Sequence, residues 1–184
     1  MKSLKTIAHF LFAAVLLISC GGDDEPESAS GLEGTWTAIT MNYDITQTNS
    51  ISGQSGDIIV EGNATDINYD LTLEDGTYRA SGMYTLNYTF STLSQVTELV
   101  QSVPEVFSEG TYSVDGNEIT VFGDFYGFDF QGLTTTGTAN QSSVAIFEVD
   151  GDMLTLTQNQ SFETVSTGLT VTTTIVSEST WTRK

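Results

Sequence analysis

This chain predicts an all-β domain of about eight antiparallel strands, and three observations carry the prediction. From Gly31 onward Thr, Val, Ile, Tyr and Phe dominate, residue types that fit a pleated, half-buried surface. Apolar residues recur at every second position, the period of a strand with one buried face. Gly and Asp interrupt these runs at short intervals, three times as an Asp-Gly pair, the strongest short-range signal for a hairpin.

Strand-like stretches lie near 34–43, 57–62, 66–74, 77–90, 110–115, 118–123, 143–150, 152–160 and 168–182. The first marked hairpin turns at Glu74-Asp75-Gly76 between Asp70–Leu73 and Thr77–Arg79. The second turns at Asp115-Gly116-Asn117 and the third at Asp150-Gly151-Asp152. Around the last two turns Tyr112 and Val114, Ile119 and Val121, and Leu154 and Leu156 alternate with polar residues, so they are expected to point inward. Tyr112–Thr120 and Phe147–Thr155 read almost alike, as successive hairpins of a meander would. One stretch breaks the pattern. Leu93, Val96, Leu99, Val100 and Val103 follow a helical spacing, Thr92 with Gln95 fits a capping box, and Pro104 stops the run. A short helix across one end of the sheet is the expectation there, against the β-branched content of the stretch.

The first nineteen residues read as a targeting segment. Lys2 and Lys5 precede an apolar run from Ile7 to Ile18, broken only by His9. As a helix it would reach about 18 Å, short of the ~30 Å needed to cross a bilayer. The junction Leu17-Ile18-Ser19-Cys20 resembles the bacterial lipobox. That resemblance implies cleavage before Cys20 and acylation of Cys20, with two or more chains giving a stable anchor. Residues 20–30 then form an acidic, flexible tether, Gly22-Asp23-Asp24-Glu25-Pro26-Glu27 at its centre. The tether is similar to the acidic export tags of some Gram-negative surface lipoproteins. The expected location is the outer membrane of a Gram-negative bacterium, lipid-anchored, with exposure at the cell surface an open alternative.

Composition then narrows the chemistry. After Cys20 only Arg79, Arg183 and Lys184 stand against 24 carboxylates, a balance of −21. A surface of that sign repels phosphate backbones, which argues against nucleic acid as a partner. The only histidine, His9, lies in the targeting segment, and Cys20 is the only thiol. Disulfides, Ser–His–Asp and Cys–His catalysis, and zinc or copper sites therefore lack their residues. The Asp-Gly turns at 115–117 and 150–152 do not continue into the spacing of a calcium loop, and turn chemistry explains them. No pair of carboxylates stands out by spacing for glycosidase work. The chain reads as a monomer that is not an enzyme, with no cofactor and no metal.

Gly34-Thr35-Trp36 opens the first strand and Trp181-Thr182-Arg183 closes the last. This resembles the lipocalin pattern, in particular the lipocalin-like domains of bacterial surface lipoproteins. The resemblance spans 31–184 and implies an up-and-down β-barrel in which the Trp36 indole packs beneath the Arg183 guanidinium. A β-sandwich with both Trp in its core is the alternative. The Thr-Asp-Tyr signature of secreted animal lipocalins is missing, so their ligand classes do not carry over. An eight-stranded barrel is wide enough for one small ligand, and a small apolar or amphipathic molecule is the expected partner besides the membrane. The alternative is a non-catalytic interaction or structural module with a filled barrel. Phe122, Phe125, Tyr126, Phe128 and Phe130, interleaved with Gly and Asp, are the expected rim of such a pocket.

Overall fold

The computed structural model describes residues 31–123 and 142–184. Its eight strands are β1 (Gly34–Ile51), β2 (Gln54–Glu74), β3 (Thr77–Ser91), β4 (Val96–Asp115), β5 (Glu118–Phe122), β6 (Ser142–Asp150), β7 (Met153–Ser166) and β8 (Leu169–Arg183). Each pairs antiparallel with its neighbour in sequence, and β8 pairs with β1 from Trp36–Arg183 to Ile51–Leu169, so the sheet is a closed barrel. The closed ring rules out the sandwich, which would leave two separate sheets; among the described residues β5 pairs β4 only over Thr111–Asp115 and β6 pairs β7 only over Met153–Thr157.

The barrel has two unlike ends. At the base, β1 begins, β8 ends, and the turns at Asp75-Gly76, Gly116-Asn117 and Gly151-Asp152 cluster. Backbone bonds tie these turns to their neighbours: Tyr112 N–H donates to Gly76 O, Phe147 N–H to Asn117 O and Arg183 N–H to Asp152 O, each at 2.8 Å. The turns at Ser52-Gly53, Thr92–Gln95 and Thr167-Gly168 form the opposite end, the mouth. Among the described residues the buried apolar side chains form one core that runs from Leu32 to Trp181.

Two expectations are corrected. The stretches 57–62 and 66–74 are one strand, β2, carried across a bulge where the register shifts between Thr65 and Asn68. The expected helix over 93–103 is absent, because the stretch is the first part of β4. Its β-branched residues lose rotamer freedom in a helix and keep it in a strand. Here Val103 pairs with Tyr84 and Leu99 with Tyr88, facing inward, while Val96 and Val100 face out. Thr92 and Gln95 close the β3–β4 turn, Thr92 N–H donating to Gln95 O at 2.8 Å. Pro104 sits at a bulge between Val103 and Val106, where no ladder N–H is needed.

The lower half of the barrel is solid. Trp36, Tyr69, Leu71, Leu73, Tyr84, Ile119, Leu154 and Trp181 are almost fully buried. Tyr69 meets Tyr84 edge-on at 5.5 Å and Trp181 at 6.1 Å between ring centroids. Each indole N–H finds an acceptor at 2.8 Å, Leu32 O for Trp36 and Ser179 Oγ for Trp181.

Candidate functional site: the upper lumen and the base clamp

Trp36 and Arg183 meet as the sequence pattern implied. The Arg183 Cζ lies 4.1 Å from the centroid of the Trp36 ring, and Trp36 is fully buried. The guanidinium also donates to Glu33 O at 2.8 Å and to Gly31 O, so one side chain ties the last strand to the segment entering the first. Gly34 is required beside it: a Cβ there would stand 2.6 Å from Arg183 Nη1, and its φ of +134° is one that side-chain-bearing residues rarely adopt. Next to this clamp Lys184 Nζ lies 2.7 Å from Asp70 Oδ2, and Thr37 Oγ1 donates to Asp70 Oδ1 at 2.6 Å. Partial burial alone would raise the Asp70 carboxyl, but these two hydrogen bonds and the Lys184 charge hold it below the usual range. The clamp closes the base and offers no chemistry of its own.

The upper lumen is built differently. The cross-strand pairs Tyr43–Ser177, Ile45–Ile175 and Gln47–Thr173 join β1 to β8, and Gln158–Ser177 and Gln160–Ile175 join β8 to β7. On the other side Ile45–Val60, Tyr43–Gly62, Val60–Phe90, Gly62–Tyr88 and Tyr88–Leu99 carry the same face through β2, β3 and β4. Directly opposed residues share a face. The lumen thus has a wall of amides and hydroxyls (Gln47, Gln158, Gln160, Thr173, Ser177) on β1, β7 and β8. Facing it is a wall of Ile58, Val60, Leu86, Tyr88, Phe90 and Leu99, with Thr97 and Gln101 its polar members.

Burial changes along the barrel. Inward residues in the lower half are shut off from water. In the upper half Tyr88, Phe90, Phe162 and Val171 are only partly buried, and Leu99 keeps 41% of its surface exposed although it faces in. Water therefore reaches an apolar interior surface from the mouth. Gly62 shapes this region, since a Cβ there would fall 2.6 Å from the Tyr43 hydroxyl and 2.7 Å from Tyr88 Cβ. Burial, and then the neighbouring Tyr88, push the Tyr43 hydroxyl well above its ordinary range, so it stays protonated.

The amides are in part engaged. Ser177 Oγ donates to Gln158 Oε1 at 3.4 Å, and Gln158 Nε2 donates to Gln160 Oε1 at 3.1 Å. The β6–β7 ladder ends at Ile146–Thr157, and beyond it Gln160 fills the gap. It donates to Ser142 O at 3.0 Å and accepts from Val144 N–H at 3.3 Å. Gln47 makes a single long contact of 3.5 Å to Thr173 among the described residues. None of the buried polar residues, Gln47, Gln158, Thr173 and Ser179, carries a charge.

Of the expected rim, Phe122 ends β5 beside Thr111 and Ser142 with its ring on the outer face, half exposed, so it does not line the lumen. Phe125, Tyr126, Phe128 and Phe130 lie outside the described residues, as does Cys20. The amide wall was not among the expected site residues. Its signal was present in Tyr43-x-Ile45-x-Gln47 and in Leu154-x-Leu156-x-Gln158-x-Gln160, where a polar residue continues an inward alternation. A second concavity, of about 630 Å³, lies on the outer wall against Thr72, Glu74, Arg79, Glu109 and Thr111. Its one cation, Arg79, is held by Glu109 at 3.8 Å and lies 5.5 Å from the Phe107 ring centroid. No group of three or more potential metal ligands occurs among the described residues.

No protein-family model matches this chain, and no curated protein or solved structure compared with it does either. The likeness to lipocalins therefore rests on the Gly34, Trp36 and Arg183 pattern.

Proposed function

We propose that this chain is a lipid-anchored extracytoplasmic lipoprotein of the lipocalin-like kind, and that its barrel binds a small amphipathic molecule in the upper lumen. The observation that supports binding is the gradient of burial: a dry, packed floor beneath inward apolar side chains that water can reach. The packed lower half favours the runner-up, a filled interaction module, only for that half.

The anchor reading rests on Leu17-Ile18-Ser19-Cys20. Gly31 lies at the base beside Arg183, so a chain held at Cys20 enters the barrel at the base. Ten residues reach at most about 35 Å, which keeps the base near the membrane. The acidic surface repels anionic lipid, which leaves the acyl chains as the membrane contact.

Two measurements test these parts separately. Labelled palmitate should enter the chain expressed in a Gram-negative host and should be absent from Cys20→Ala; equal labelling of the variant sinks the anchor. An uncharged solvatochromic dye should bind residues 21–184 saturably, at about one per chain, as expected of a barrel this size. No saturable binding would leave the filled-module reading.

A further inference from the structure

Charge is distributed in this barrel with no exception among the described strands. Asp, Glu, Lys and Arg of β1–β8 stand on the outer face, at bulges or turns or, for Arg183, over Trp36 at the base, and none is buried. The three cations that follow Cys20 are each committed outside the lumen, Arg79 to Glu109, Arg183 to the base clamp and Lys184 to Asp70. Among the described residues the upper lumen holds only uncharged groups. Its amides and hydroxyls concentrate on β1, β7 and β8, interleaved there with Ile45, Phe162, Val171 and Ile175, while β2, β3 and β4 are mainly apolar.

We propose that the lumen selects an uncharged amphipathic ligand, its hydroxyl, ester or amide end against Gln158, Gln160 and Ser177 and its apolar body against the water-accessible Tyr88, Phe90 and Leu99. This rests on the reading of the barrel as a binding module and names the ligand class. A carboxylate entering the lumen would shed its water with no cation to replace it, a cost that opposite charge or dense hydrogen bonding must offset. The net charge of the surrounding chain adds repulsion. An ammonium would be drawn toward the acidic exterior, but it finds no carboxylate inside, and tyrosine faces return less than its lost hydration. A neutral polar end loses little. The amides are suited to it, because a glutamine both donates and accepts and can serve a hydroxyl or a carbonyl alike.

The test compares ligands that share one apolar tail. Residues 21–184, shown to be folded by a cooperative melting transition, are titrated calorimetrically with 1-decanol, decanoate and decyltrimethylammonium below their micelle thresholds. The expected result is decanol binding at least about tenfold more tightly than either ion. In the Gln158→Leu/Ser177→Ala double variant the decanol affinity should fall several-fold while the melting temperature is kept. Binding of decanoate or decyltrimethylammonium within about threefold of decanol overturns the uncharged-ligand inference and leaves the binding-module reading standing. Decanol affinity unchanged in the double variant overturns the assignment of the polar wall. Failure of all three ligands to bind folded protein removes the binding module, and this inference with it.

Discussion

Removing the guanidinium of Arg183 should loosen the base of the barrel by an amount that can be worked from its contacts. Stacking over Trp36 at 4.1 Å is worth about 0.5–2 kcal/mol at a half-exposed site. The bonds to Glu33 O and Gly31 O add roughly 1 kcal/mol between them once exchange with water is counted. The ion pair with Asp152 at 3.9 Å, whose carboxylate side chain is 85% exposed, adds close to nothing. Arg183→Ala should therefore cost about 1.5–3 kcal/mol, which in a domain of this size lowers the melting temperature by about 3–12 °C. Arg183→Lys keeps the charge but loses the planar fork, and should fall about midway. Gly34→Ala adds a second arm. Its Cβ meets Arg183 Nη1 at 2.6 Å and its backbone is held at φ +134°, so it should cost about 1–3 kcal/mol from backbone strain, plus displacement of the guanidinium. With Arg183 already removed only the backbone part should remain, so the two substitutions should be less than additive. Thermal unfolding of the four proteins measures this cycle. An Arg183→Ala protein melting within about 1 °C of the parent, or strict additivity with Gly34→Ala, would refute the clamp.

Three further outcomes follow from groups inside the wall. Burial, then Tyr88, raises Tyr43, and burial, then the Glu33 charge, raises Tyr112; both hydroxyls stay protonated in the fold beyond the point where the unfolded chain ionises. Their contribution is complete below the unfolded pKa of about 10 and lost as pH rises above it, so the melting temperature should drop on that alkaline limb and Tyr43→Phe should flatten the drop. Asp70 is held low, so its contribution is present above about pH 4 and lost as pH falls below that; Asp70→Asn should show a shallower acid limb, and an identical limb argues against the Lys184 and Thr37 bonds. Gly62→Val forces atoms against Asn87 O, the Tyr43 hydroxyl and Tyr88 Cβ. It should destabilise by about 1–3 kcal/mol in urea unfolding; an unchanged midpoint would mean that the tyrosines do not lean over β2.

The base of the barrel was legible because its signals are local. Turn chemistry at 74–76, 115–117 and 150–152 and strict alternation beside it need only a few neighbouring residues, and Tyr112, Ile119, Val121 and Leu154 are buried as their spacing required. The stretch 93–103 was misread because valines at 96, 100 and 103 satisfy a helical period as well as they satisfy two faces of a bulged strand. Only pairing with β3 chose between them.

The chain by itself determined that it would be antiparallel β, where three hairpins turn, that no imidazole or thiol follows Cys20, and which residues pair at the base. Which polar residues face the lumen was decided by tertiary structure, since alternations such as Tyr43-x-Ile45-x-Gln47 suggest a face but do not locate the bulges. A threonine or glutamine in a strand looks the same whether it points in or out, and a bulge reverses the parity. In β1 the inward residues are Trp36 and Ala38 before the irregularity and Met41, Tyr43, Ile45 and Gln47 after it. In β2 they change from Val60 and Ala64 to Tyr69, Leu71 and Leu73 across the shift between Thr65 and Asn68. One inserted residue moves every later side chain to the other face. Those insertions are set by how eight strands must coil to close, so the uncharged wall of Gln47, Gln158 and Gln160 exists only once the ring is shut.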